Sequence, residues 1–282
     1  MRSSTFTVDA RSHAFLTGCI VAIFLGLYGC TALPSNSPTR ALVEVPAIDD
    51  GACIEQRTDG RSDKDPPAGS DWYRIIDGHI PVVISAPHAT MPFRDGKYRF
   101  SDGGGTAALA IELGALTGAH VIFTTYRSRS DPNYYDDNDY KRALAKLLAT
   151  SQARILLDIH GSSPKRPYDV DIGTMGGASL LGHAVWADQL GIVLRKNGLI
   201  AISNDFFSAA KNQTVTKFAV AHQVPALQLE INATWLLPAE SDLGAHRFAQ
   251  LLESLDEFIV AEEKSTTAPI AIAFAPSCTP DF

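Results

Sequence analysis

The chain has 282 residues, 45% of them hydrophobic and 20% charged, a composition too apolar for general disorder and suited to one folded domain of about 200 to 250 residues. Its formal charge of −7, without a clustered run of Lys and Arg, excludes the electrostatic footprint of a nucleic-acid-binding surface. Small-molecule or peptide chemistry is the expectation that remains.

The first feature in chain order is a leader. Arg2 and Arg11 precede an uncharged run from Ala14 to Gly29 that ends on small residues. The run is shorter than the roughly 20 residues that span a bilayer, and this order of basic start, apolar core and small end is that of a signal peptide. Leu27-Tyr28-Gly29-Cys30 is similar to a bacterial lipobox, which makes Cys30 the expected lipidation site. Residues 1–30 are therefore expected to be a signal peptide of lipoprotein type. They would deliver the rest of the chain to the periplasm, or to the outer membrane through a lipid anchor. An uncleaved anchor helix is the alternative, and it too places the folded part outside the cytoplasm. With Cys19 in the leader and Cys30 lipidated, only Cys53 and Cys278 remain. In an oxidising compartment they either pair or stay as thiols.

Residues 31–70, rich in Ser, Pro, Asp and Gly, read as a flexible tether, and residues 71–282 as the catalytic domain. Trp72–Gly78 and Ile80–Ala86 are short β-rich runs, the second a buried strand that ends at Pro87-His88. Asp102-Gly103-Gly104-Gly105-Thr106 makes a turn before a helix over Ala107–Leu116. A strand over Val121–Thr125, a helix over Asp139–Thr150 and a strand over Arg154–Ile159 follow. After a long glycine-containing segment come a helix over Gly182–Asn197, a strand over Leu199–Ser203, a helix over Thr216–Gln223, a strand over Ala226–Ile231 and a helix over Leu243–Glu262. Alternating strands and helices specify an α/β sandwich of three layers around a mixed, largely parallel central sheet.

In such sheets functional groups gather beyond the carboxyl ends of the strands, and His88, Arg127, His160 and Glu230 all fall there. His88 and His160 each follow a buried strand, which makes them the leading metal ligands. Asp158, two residues before His160 and on the same face of its strand, is placed to accept from the free ring N–H and orient the imidazole. A catalytic zinc site needs a third protein ligand and an open position. Asp102, presented by glycines at a helix start, is the candidate, its alternative being a helix N-cap.

Glu230 puts a charge at the end of an apolar strand, so it either serves the site as a general base or forms a buried ion pair. Arg127 clamps a substrate carboxylate or polarises the scissile carbonyl, or else it pairs with Asp131. Asn133 is either a substrate contact or a turn residue. The chain has no GxSxG elbow, no Walker phosphate loop and no HExxH pair, which argues against serine-esterase, nucleotide and zincin readings.

The order Pro87-His88-Ala89, Asp102 with Gly105-Thr106, Arg127 with Asp131-Pro132-Asn133, Asp158-Ile159-His160-Gly161 and Glu230-Ile231-Asn232 resembles the N-formylglutamate amidohydrolase family, related in fold to the zinc carboxypeptidases. The resemblance runs from about Pro81 to Asn232. It implies a zinc-exopeptidase-like fold and hydrolysis of an amide near a carboxylate. By it, His88, Asp102 and His160 are the Zn2+ ligands, Glu230 the general base, and Arg127 an arginine that binds substrate or polarises the carbonyl. Two positions depart from the family pattern: Tyr134 stands where the family often has Arg, and Gly161 where Ser is usual. For an envelope protein the expected substrate is a peptide, an N-acyl amino acid or a cell-wall fragment. A non-catalytic ligand-binding lipoprotein on the same fold is the competing class.

Overall fold

The computed structural model describes residues 43–264. Cys30, Cys278, the leader and the first part of the expected tether lie outside the described residues. Among the described residues no helix is long and apolar enough to cross a membrane.

Seven strands form the main sheet: β1 (Tyr73–Ile76), β2 (Val82–Ala86), β5 (His120–Thr124), β6 (Ile155–Ser162), β7 (Val170–Gly173), β8 (Ile202–Asn204) and β9 (Ala226–Asn232). Their order across the sheet is β1-β5-β2-β6-β9-β7-β8. The four central strands β5, β2, β6 and β9 are mutually parallel, while β1 joins one side and β7 the other in antiparallel fashion. The sheet is thus mixed and largely parallel, the α/β class that the alternating pattern specifies. A separate two-stranded hairpin pairs β3 (Phe93–Arg94) with β4 (Lys97–Tyr98).

Among the described residues six helices cover the two faces: α1 (Val45–Asp59), α2 (Gly104–Thr117), α3 (Asp139–Thr150), α4 (Val185–Lys196), α5 (Val215–Ala221) and α6 (Asp242–Lys264). The parity of the strand residues sorts them. Val82, Ile84, Leu157, Ile159, Leu227 and Leu229 enter one core with Leu109 of α2, Leu190 of α4 and Phe248 of α6. Val83, Ile122, Leu156 and Ala226 face the other way and pack with Tyr140 and Leu144 of α3 and Val215 and Ala219 of α5. Three layers result, because strands buried on both faces need a helical layer on each.

Residues 45–59 correct the tether reading. They form α1, which packs on α2, with Ala47, Gly51 and Ile54 buried. The segment has weak apolar periodicity and begins at a proline, so its helicity rests on docking against α2 and α6 rather than on a pattern of its own. Cys53, on this helix, is disulfide-bonded. Two further elements went unread: the β3–β4 hairpin and β7, which lies inside the glycine-containing segment and is too short to leave a period of two in the sequence.

Candidate metal centre

The smaller of the two cores ends before the strands do. On its face of the sheet, Ser85, Asp158, His160, Asp171, Gln228 and Glu230 replace the apolar residues. Register brings them side by side: Ser85 opposite Asp158, Asp158 opposite Gln228, and His160 opposite Glu230, which is itself opposite Asp171. A period of two along each strand therefore generates a polar stripe running across the sheet.

His88 lies just past β2, and Asp102 joins it through a backbone bond, its N–H donating to the His88 carbonyl at 2.8 Å. Asp102 Oδ2 stands 2.9 Å from His160 Nδ1 and 3.6 Å from His88 Nδ1. The ligand atoms of these three residues lie within 4.8 Å of one another. The two imidazoles meet edge to face, 5.0 Å between centroids. The N-cap alternative for Asp102 does not hold: the cap of α2 is Gly103, with no side-chain bond to the helix.

Each imidazole is backed by a buried carboxylate. Asp131 Oδ1 is hydrogen-bonded to His88 Nε2 at 2.7 Å, whereas Asp158 Oδ1 faces His160 Nε2 at 3.4 Å without a hydrogen bond, and both aspartates are about fully buried. Asp158 Oδ2 also accepts from the Thr216 backbone N–H at 3.3 Å and from its hydroxyl at 3.2 Å, so the start of α5 fixes it. A carboxylate behind Nε2 holds the proton there and turns the lone pair of Nδ1 inward. Both inward nitrogens point to the region of Asp102 Oδ2.

A divalent ion fits this set. Tetrahedral bonds of about 2.0 to 2.1 Å to nitrogen or oxygen place ligand atoms about 3.3 Å apart, between the two separations seen here. Two imidazoles and one carboxylate are also the donor chemistry that borderline cations such as zinc prefer.

Electrostatics follow from burial and mutual contact. Burial alone would lower the His88 pKa, but the charge of Asp131 and bonds to Asp102 and Asp131 raise it to about 9. His160 is likewise raised, against burial, by Asp158 and Asp102. Asp102 is pulled well below the carboxylate range, against burial, by its bonds to His160 and His88. Glu230 is raised to about 7 by burial, with His160 opposing and Asp102 adding to the shift. Its carboxylate accepts from Gln228 Nε2 at 3.1 Å and has no cation within 4.0 Å among the described residues, so the buried-ion-pair alternative does not hold.

Arg127 stands elsewhere. Its Nε donates to Asp65 Oδ1 at 2.7 Å, its Nη2 to the second oxygen, and its guanidinium lies over the Tyr98 ring. The Arg127–Asp131 pair is not formed, because Asp131 is engaged by His88 and by Arg94, whose Nη1 is 3.5 Å away. Asn133 spends its side-chain oxygen on the Val215 N–H at 2.7 Å, joining this loop to α5. Asp131, expected opposite Arg127, and Arg94, which the sequence does not single out, are thus both neighbours of the site. The order Asp131-Pro132-Asn133 was legible, but which partner Asp131 takes depends on the fold. Arg94 left no signal at all, sitting in an unread hairpin.

Two glycines let the pieces meet. A Cβ on Gly161 would come 2.6 Å from the Asp102 carbonyl oxygen, and one on Gly105 would overlap the carbonyl of Leu236. From α1, Asp59 Oδ1 accepts the Gly104 N–H at 2.7 Å, holding the glycine turn that carries Asp102.

No protein-family model and no curated protein matches the sequence. Solved structures are similar in three dimensions. An N-formylglutamate amidohydrolase from Ralstonia eutropha JMP134 matches 68% of this chain and 97% of its own at 16% identity and a TM-score of 0.49. A bacteriophage poly-gamma-glutamate hydrolase matches over 72% and 94% at 15% identity and a TM-score of 0.47. A metallo-carboxypeptidase from Pseudomonas aeruginosa matches over 66% and 61% at 12% identity and a TM-score of 0.41.

Proposed function

We propose that the protein is an exported metal-dependent hydrolase of an amide bond, with His88, Asp102 and His160 holding Zn2+ and Glu230 as general base. The observation that carries this reading is the convergence of His88, Asp102 and His160, with Glu230 opposite His160 in the sheet register. A bound divalent ion supplies Lewis acidity toward water and the scissile carbonyl. The rest is done by the chain's own groups. The Glu230 carboxylate, which burial raises to about 7, takes a proton from the attacking water and returns it to the departing amine. Asp131 keeps the proton of His88 on Nε2, and the buried Asp158 carboxylate lies behind His160 Nε2 at 3.4 Å, so that neither ring turns away from the site. The order of the site motifs, which resembles that of N-formylglutamate amidohydrolases, supports an N-acyl amino acid, peptide or cell-wall fragment as substrate. The leader and the bonded state of Cys53 support an oxidising compartment, with Cys30 as lipid anchor.

The test compares wild type, His160→Ala and Glu230→Gln for zinc content and for hydrolysis of N-acyl amino acids and peptides. The histidine change should lower bound zinc, and the glutamate change should keep zinc while removing turnover. Equal activity in all three would overturn the assignment. Ligand binding that persists unchanged in Glu230→Gln, with no turnover in wild type, would favour the non-catalytic binding lipoprotein.

A further inference from the structure

Two of the described cations, Lys141 and Arg127, have their donors committed. Lys141 is fully buried on α3 and donates to Asp136 Oδ1 at 2.7 Å, to the Gln213 carbonyl at 2.6 Å and to the Thr214 carbonyl at 3.2 Å. Arg127 gives its fork to both oxygens of Asp65. Arg166 is exposed, with its guanidinium over the Phe206 and Phe207 rings.

Arg94 differs. Only 24% of its side chain is exposed, and its Nη1 approaches Asp131 Oδ2 at a loose 3.5 Å. Its Nε is buried and hydrogen-bonded to nothing, with the Asp95 carboxylate 3.8 Å away. A guanidinium has five N–H donors, so most of this fork is unspent. It is also held in place. Cζ sits 4.7 Å from the centre of the Tyr134 ring, and the tight β3–β4 hairpin fixes the backbone on either side. The other oxygen of Asp131 is the one bonded to His88 Nε2, so Arg94 stands a single carboxylate away from a metal-centre histidine. A half-buried, preorganised, under-used guanidinium beside a hydrolytic centre matches the planar two-oxygen geometry of a carboxylate.

We propose that Arg94, and not Arg127, is the specificity residue that binds the carboxylate of the substrate. The inference rests on the hydrolase reading for its substrate class, an N-acyl amino acid or peptide with a free carboxylate next to the scissile amide. Tyr134 supports the assignment, because its ring lies under the Arg94 guanidinium, with Cζ 4.7 Å from the ring centre.

The experiment measures binding, so it does not depend on turnover. Zinc-loaded protein in the Glu230→Gln background is titrated calorimetrically with N-acetyl-L-alanine and with N-acetyl-L-alaninamide, which differ only in the carboxylate. Without a further change the acid should bind about 10- to 100-fold more tightly, the equivalent of a charge-assisted bond of about 1.5 to 3 kcal/mol. Added Arg94→Gln should erase that preference, Arg94→Lys should keep part of it, and Arg127→Ala and Arg166→Ala should leave it intact. The proposal is overturned if the starting protein shows no preference for the acid, or if Arg94→Gln retains it. Loss of zinc from Arg94→Gln would also overturn it, since Arg94 would then serve only to hold Asp131 against His88. Failure of the hydrolase reading is separate: it appears as absent zinc-dependent turnover in wild type, whatever the calorimetry gives.

Discussion

His88 and His160 behave as a matched pair because each has a carboxylate behind it and the same nitrogen in front. That symmetry gives Asp131 a definite role. Asp131→Asn should weaken zinc binding about 10- to 100-fold, the usual cost of losing such a partner, while leaving the fold intact. A competition titration with a chelating dye checks it, and unchanged affinity would remove Asp131 from the site. Gly161 makes a second prediction at this scale. Its missing Cβ leaves room for the Asp102 carbonyl, so Gly161→Ala must push Asp102 from His160. Zinc affinity should fall by a larger factor than the drop in thermal midpoint accounts for. If affinity holds, the approach is not what places the ligand.

Among the elements, α1 has more influence on the site than its sequence suggests. Asp59 holds the turn before α2, and Glu55 Oε2 accepts the Ala239 N–H at 2.8 Å. Across the contact, Glu112 of α2 is fully buried and neither of its oxygens is hydrogen-bonded. Burial raises Glu112 to about 8, helped by Asp50, and raises Glu55 to about 7, with the Ala239 bond opposing. Because both folded values exceed the ordinary 4.5, the folded state holds more protons than the unfolded one between those limits. Their contribution to stability is therefore fully present below about pH 4.5 and lost as pH rises through about 7 to 8. Denaturant midpoints from pH 5 to 9 should decline, and Glu112→Gln should flatten that decline. A midpoint that rises with pH in wild type and mutant alike would contradict the burial account. The start of α3 offers a simpler case. Asn138 accepts the Lys141 N–H at 2.9 Å, so Asn138→Ala should cost about 1 kcal/mol in a denaturation curve.

At the scale of the whole molecule, the metal centre joins parts that are far apart in sequence. His88 follows β2, Asp102 precedes α2 and His160 belongs to β6, so an ion on all three would cross-link the centre of the sheet to the helix that α1 clamps. Zinc should then raise the thermal midpoint, by about 4 kcal/mol of stability when free zinc is a thousand times its Kd. Chelation followed by calorimetry tests this, and identical midpoints with and without zinc would place the ion outside the folded core of the site.

The sequence by itself determined the order of the longer strands and helices, the α/β class and the candidates at the strand ends. Apolar runs, glycine turns and period-two placement are local, and they survive without knowledge of what packs where. It also put Asp158 on the face of His160, because two residues along a strand return to the same side. Tertiary structure decided the pairings. Asp131 met His88 rather than Arg127, Arg127 turned to Asp65, and α1 formed in a stretch with little pattern of its own. A charged side chain takes the partner that the fold brings within about 4 Å, and separation along the chain carries no record of that distance.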